Sequence, residues 1–125
     1  KKDSAKLLDA WVPPPSAGEP RGCLATSFTF NAAFFEEECL GRFVGLEADA
    51  GDQPVAFLIE REEKLAQVYA GALVDRHHCR GLRSLRWDLM PVAVPGGIQH
   101  AKLALLHWTN VVRVIVGSAN LTEDG

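Results

Sequence analysis

The sequence predicts an α/β fold, a mixed β-sheet flanked by helices. Three observations lead there. From residue 23 onward, short apolar runs alternate with helical stripes in the order strand, helix, strand, helix, strand, as in layered sheets. A last pair of apolar runs is separated only by Thr109-Asn110, the pattern of a hairpin. With 125 residues, 47% hydrophobic and 23% charged, the chain has enough sequence for one core and too little for two.

Residues 3–12 carry a weak helical stripe of Leu7, Leu8, Trp11 and Val12, which stops at Pro13-Pro14-Pro15 because proline cannot continue a helix. The stretch through Pro20 reads as a linker or loop, so residues 1–22 are expected to be an N-terminal helix and Pro-rich linker, and residues 23–125 the domain proper. Residues 23–30 suit a strand. Asn31 is placed to cap a helix over 32–44, in which Phe35, Cys39, Leu40 and Phe43 share one face and Glu36 to Glu38 lie on the wet side. Gly51-Asp52-Gln53-Pro54 marks a turn. The apolar run 55–59 then predicts a strand covered on both faces, and Leu65, Val68, Tyr69 and Leu73 predict a helix over 61–74. A further strand is expected within 85–94. Pro95-Gly96-Gly97 breaks the chain before two antiparallel strands, 98–107 and 111–116. Helices 32–44 and 61–74 should pack on the sheet.

Thirteen Lys and Arg against sixteen Asp and Glu, a formal charge of -3, exclude a uniformly basic nucleic-acid-coating protein. Charge is nevertheless uneven: residues 1–50 hold five basic and eight acidic side chains, residues 51–125 eight of each. Arg76, Arg80, Arg83 and Arg86, with His77 and His78 among them, form a cationic stretch with no acid between. Such a run is either a solvated face or a surface for a phosphate-rich ligand. His77, His78 and Cys79 lack partners at metal-finger spacing and read as loop residues. Cys23, Cys39 and Cys79, odd in number and without C-x-x-C spacing, read as reduced thiols of a cytoplasmic or nuclear protein. No apolar run approaches the roughly 20 residues of a membrane span, so no stable membrane insertion is expected.

The chemistry concentrates after residue 97. Alternate side chains of a strand share a face, so His100 and Lys102 should point the same way, about 6.5–7 Å apart along the chain, with Leu103 and Leu105 opposite. A His and a Lys so placed can hold one phosphoryl group, imidazole at phosphorus and ammonium on a non-bridging oxygen. Directly after the second strand, Gly117 lets the backbone turn closely, and Ser118 and Asn120 supply a hydroxyl and an amide. His107 falls on the other face by parity and reads as structural or exposed. Trp108, near the hairpin tip, is placed either to stack on a base or headgroup or to pack at the edge.

These residues resemble the half-site of the phospholipase D superfamily, whose signature is H-x-K in a strand followed by G-S-x-N after a hairpin. His100-Ala101-Lys102 and Gly117-Ser118-Ala119-Asn120 match it in order and setting. The resemblance is sharp over residues 95–122; over 23–94 only the order of elements agrees. Commoner members carry an Asp five residues after the Lys, where this chain has His107, and a shorter hairpin. Both departures look like the tyrosyl-DNA phosphodiesterase branch.

The resemblance implies a phospholipase D-like half-domain and a two-step phosphodiesterase reaction through a phosphohistidine, with no metal or other cofactor. It makes His100 nucleophile or general acid, Lys102 the clamp on the phosphoryl oxygens, Asn120 an orienting donor and Ser118 its supporting partner. A second H-x-K is needed and this chain has no other, so the second half-site is expected from a C-terminal half missing after Gly125, or from an identical subunit. Arg80 and Arg83 are the expected substrate contacts, and nucleic acid the expected partner in preference to lipid. The alternatives are a non-catalytic module that binds nucleic acid or protein, and a phospholipid-acting phosphatidyltransferase.

Overall fold

The computed structural model describes residues 2–49, 51–79 and 84–122. Helix α1 spans Lys2–Ala10 and strand β1 Pro20–Ser27. A π-helical segment, Phe34–Leu40, runs directly into α2, Gly41–Val44. Helix α3 is Pro54–Leu65, and β2 is Tyr69–Asp75, closed by a 3-10 turn, Arg76–His78. Strands β3 (Asp88–Val92), β4 (Leu103–Trp108) and β5 (Val111–Val116) follow. Among the described residues the five strands form one mixed sheet, in the order β3-β2-β1-β4-β5. β1, β2 and β3 are mutually parallel, whereas β4 runs antiparallel to both β1 and β5. The α/β class and the mixed sheet are as the sequence predicts.

One face of the sheet carries the core. Ala25, Ala72 and Ala104 are side by side in register, and their small side chains admit a layer of large aromatic and aliphatic residues above them. That layer is the predicted helix over 32–44. Asn31 Oδ1 accepts the Phe34 N–H at 3.0 Å, and Phe35, Cys39, Leu40 and Phe43 are all fully buried. Trp11 meets the edges of Phe35 and Phe43, with ring centroids 5.9 and 6.5 Å apart. The N-terminal segment therefore belongs to the same core. On the opposite face, Leu24, Leu105 and Val114 lie in one register row across β1, β4 and β5, and all three are exposed.

Three expectations need correction. The apolar run 55–59 is the first half of α3 rather than a strand, because Pro54 opens a helix at its first position and Glu60 and Lys64 pair one turn apart at 3.0 Å. Val55, Leu58 and Ile59 are exposed, so the run marks no core element. Helix 61–74 is likewise divided, since residues 69–75 form β2. Its Ala70-Gly71-Ala72 is extended because β1 and β3 flank it on either side, a tertiary effect stronger than local propensity. Finally, the Pro-rich stretch is no free linker. β1 already begins at Pro20, and residues 16–19 dock on the hairpin turn: Thr109 N–H donates to Glu19 O at 2.8 Å and Asn110 N–H to Ala17 O at 2.9 Å. Gly18, at φ 87, is required there, for a Cβ would lie 2.9 Å from Thr109 Cβ.

The two-residue turn of the hairpin is as predicted, with Trp108 paired to Val111. Trp108 is fully buried, so its ring cannot meet a base. It packs on Phe43 at 5.1 Å, its Nε1–H donates to Phe43 O at 3.1 Å, and the Arg113 guanidinium covers it at 5.5 Å. Trp108→Ala should therefore destabilise the fold by about 3–5 kcal/mol. A urea midpoint unchanged from wild type would show that this end of the core carries no such energy.

Candidate functional site

β1 and β2 end, and β4 begins, at the same margin of the sheet. Open α/β sheets bind ligands outside the carboxyl ends of their strands, and His100, Lys102 and Asn120 lie at that margin. His100 and Lys102 precede β4 instead of lying within it, because side chains take over the hydrogen bonds a neighbouring strand would make. Thr26 Oγ1 donates to Ala101 O at 2.8 Å and accepts Leu103 N–H at 2.9 Å. Gln99 clamps the same peptide, its Oε1 accepting Ala101 N–H and its Nε2–H donating to Ala101 O, both at 3.0 Å. The strand predicted from residue 98 thus starts at Leu103.

The two side chains nevertheless meet. Lys102 Nζ lies 3.0 Å from His100 Nδ1 and 3.2 Å from Nε2. His100 is exposed, and its ring rests on Phe28 at 4.9 Å. Phe28 also meets His78, at 4.4 Å.

The G-S-x-N segment returns to the same place. Gly117 N–H donates to Lys102 O at 3.2 Å, which extends the hairpin ladder by one bond. Asn120 Oδ1 accepts from Phe28 N–H at 3.1 Å and Thr29 N–H at 3.2 Å, with the Ser27 hydroxyl at 3.4 Å. Buried Ser27 Oγ also accepts Leu121 N–H at 2.8 Å. Asn120 therefore ties the turn that bears Phe28, the platform for His100. Ser118 is exposed at the rim.

Other predicted residues are placed apart from this group or cannot be placed. Arg80 and Arg83 lie outside the described residues. Arg86 is turned toward α3, with Nε 2.8 Å from Glu62 Oε1. His107 is exposed within β4. Cys23 and Cys39 are buried thiols; burial pushes Cys23 up to about 12 and Cys39 also well above the usual thiol range, so neither is a nucleophile near neutral pH. None of the three cysteines is in a disulfide. Among the described residues, no three His, Cys, Asp or Glu side chains are grouped to hold a metal ion.

Sequence reasoning missed Asp75. This carboxylate ends β2 at 1% exposure. Its Oδ2 accepts Gln99 N–H at 2.7 Å, and its Oδ1 accepts His77 N–H at 3.0 Å and faces His77 Nδ1 at 2.8 Å. The Gln99 and His77 amides, then the His77 ring, hold Asp75 down to about 2 against the opposing effect of burial. An Asp two residues before a His was the available signal, hidden by the reading of residues 61–74 as a helix.

No helix among the described residues is long and apolar enough to cross a membrane. Neither a protein-family model, nor a curated protein, nor a solved structure matches this chain.

Proposed function

We propose that the chain is one half of a phospholipase D-like phosphodiesterase site, acting on phosphodiesters in nucleic acid, with His100 and Lys102 as its reactive pair. One observation carries the reading: an exposed imidazole and an ammonium 3.0 Å apart at the sheet margin, with the G-S-x-N segment folded back onto the same loop. An imidazole there can attack phosphorus while the ammonium meets the charge that builds on the non-bridging oxygens. As nucleophile, His100 forms an N–P bond as the P–O bond to the leaving alcohol breaks; a histidine of the second half-site gives that oxygen its proton and then takes one from the attacking water. Water adds to phosphorus, the N–P bond breaks, and the imidazole returns.

The preference for nucleic acid rests on the cationic stretch of residues 76–86. A non-catalytic module is the second reading, and the engagement of Asn120 Oδ1 by backbone N–H groups favours it, since a scaffold would retain those bonds without chemistry. Covalent labelling of His100 by a phosphodiester separates the two readings.

Activity of the whole protein should persist in EDTA, because His and Lys perform here what a metal performs in other nucleases. Complete loss on chelation, restored by magnesium or zinc, would make the motif match accidental.

A further inference from the structure

Asp75 belongs to neither motif, yet its carboxylate holds the peptide directly before His100 as well as the turn that carries His78. Burying a carboxylate is costly unless its oxygens are satisfied. Both are satisfied here, and the bonds fall into two groups. His77 belongs to the turn that Asp75 itself opens, whereas Gln99 lies 24 residues further along, directly before His100. Residues 98–101 lie in no strand, and Lys102 continues the hairpin by a single bond to Gly117. Thr26 and the Gln99 side chain fix Ala101 and Leu103, on the Lys102 side of the histidine. On the other side, the backbone is anchored by Asp75 Oδ2.

A second route runs through the rings. The bond from His77 N–H to Asp75 Oδ1 shapes the turn Arg76–His78, which sets His78 against Phe28, and Phe28 bears the imidazole of His100. One buried carboxylate thus governs both the loop that carries His100 and the aromatic stack on which its ring rests.

We propose that Asp75 is the positioning residue for His100, holding its loop through Gln99 N–H and its ring through the His77–His78 turn and Phe28. The effect on turnover rests on the phosphodiesterase reading; the effect on His100 geometry does not. Asp75→Asn conserves volume but sets an NH2 group against an N–H donor on one side, so one of the two anchors fails.

In the intact protein, this variant should raise Gln99 amide exchange at least about tenfold and move the His100 imidazole NMR resonances. The kcat for a nitrophenyl phosphodiester should fall about 10²-fold, the typical penalty for a misplaced reacting group, with KM little changed. His77→Ala, which keeps the His77 and Gln99 amide bonds, should leave Gln99 amide exchange near wild type. If Asp75→Asn fails to fold, Gln99→Pro is compared with Gln99→Ala. Both lose the side chain but only the proline variant loses the N–H, so a larger His100 displacement in Gln99→Pro supports the proposal. Unmoved His100 resonances in folded Asp75→Asn, or equal spectra for the two Gln99 variants, overturn it. A wild-type protein inert toward phosphodiesters, with His100 still displaced in Asp75→Asn, supports the positioning role and removes the enzymatic reading.

Discussion

His100→Ala should abolish phosphodiester cleavage by the whole protein, with turnover falling on the order of 10⁴-fold or more, as when a nucleophile or its proton partner is removed from a covalent mechanism. The size follows from chemistry rather than folding. His100 is exposed and its ring meets half-buried Phe28 and the Lys102 ammonium, so its removal leaves the core of Trp11, Phe35, Phe43 and Trp108 untouched. An unchanged urea midpoint beside lost turnover is the expected combination. If His100 is the nucleophile, wild-type protein quenched during turnover of a nitrophenyl phosphodiester carries phosphate on His100, and the variant carries none. If it is the general acid, turnover of alkyl esters suffers more than that of nitrophenyl esters, whose leaving group needs no proton. More than a tenth of wild-type activity in the variant would end both assignments.

Lys102→Ala should cost about 2.7–4 kcal/mol of transition-state stabilisation, a fall of 10²- to 10³-fold in turnover. In the pentacoordinate transition state of the proposed reaction, negative charge concentrates on the non-bridging oxygens, and an ammonium 3.0 Å from the His100 ring is placed to meet it. That interaction strengthens as charge develops, so the loss should appear in kcat with a smaller change in KM. The peptide bonds of Lys102 already tie it to the sheet, through Lys102 O to Gly117 N, and the substitution leaves this bond in place. Turnover within threefold of wild type would show that the ammonium does not face the reacting phosphate.

The elements legible in the sequence are those whose local pattern and tertiary environment agree. Asn31 followed by Phe35, Cys39, Leu40 and Phe43 announces a capped helix with one buried face, and that helix forms the core layer. The polar pair Thr109-Asn110 between two apolar runs announces the hairpin. Residues 55–74 misled because a five-residue apolar run fits a helix as well as a strand, and Ala70-Gly71-Ala72 has no strong preference of its own. Only Pro54 hinted at the true order, helix then strand.

The motif residues, their order and the pairing of His100 with Lys102 could be read from the chain because they depend on neighbours two positions apart and on one short hairpin. The surroundings that give the pair its geometry could not. β2 is a strand because β1 and β3, distant in sequence, supply its hydrogen bonds. The His100 loop is held by Asp75 across 24 residues and by Thr26 across 75. Such contacts leave no periodic trace in a sequence, since each joins single residues that meet only after the sheet has formed.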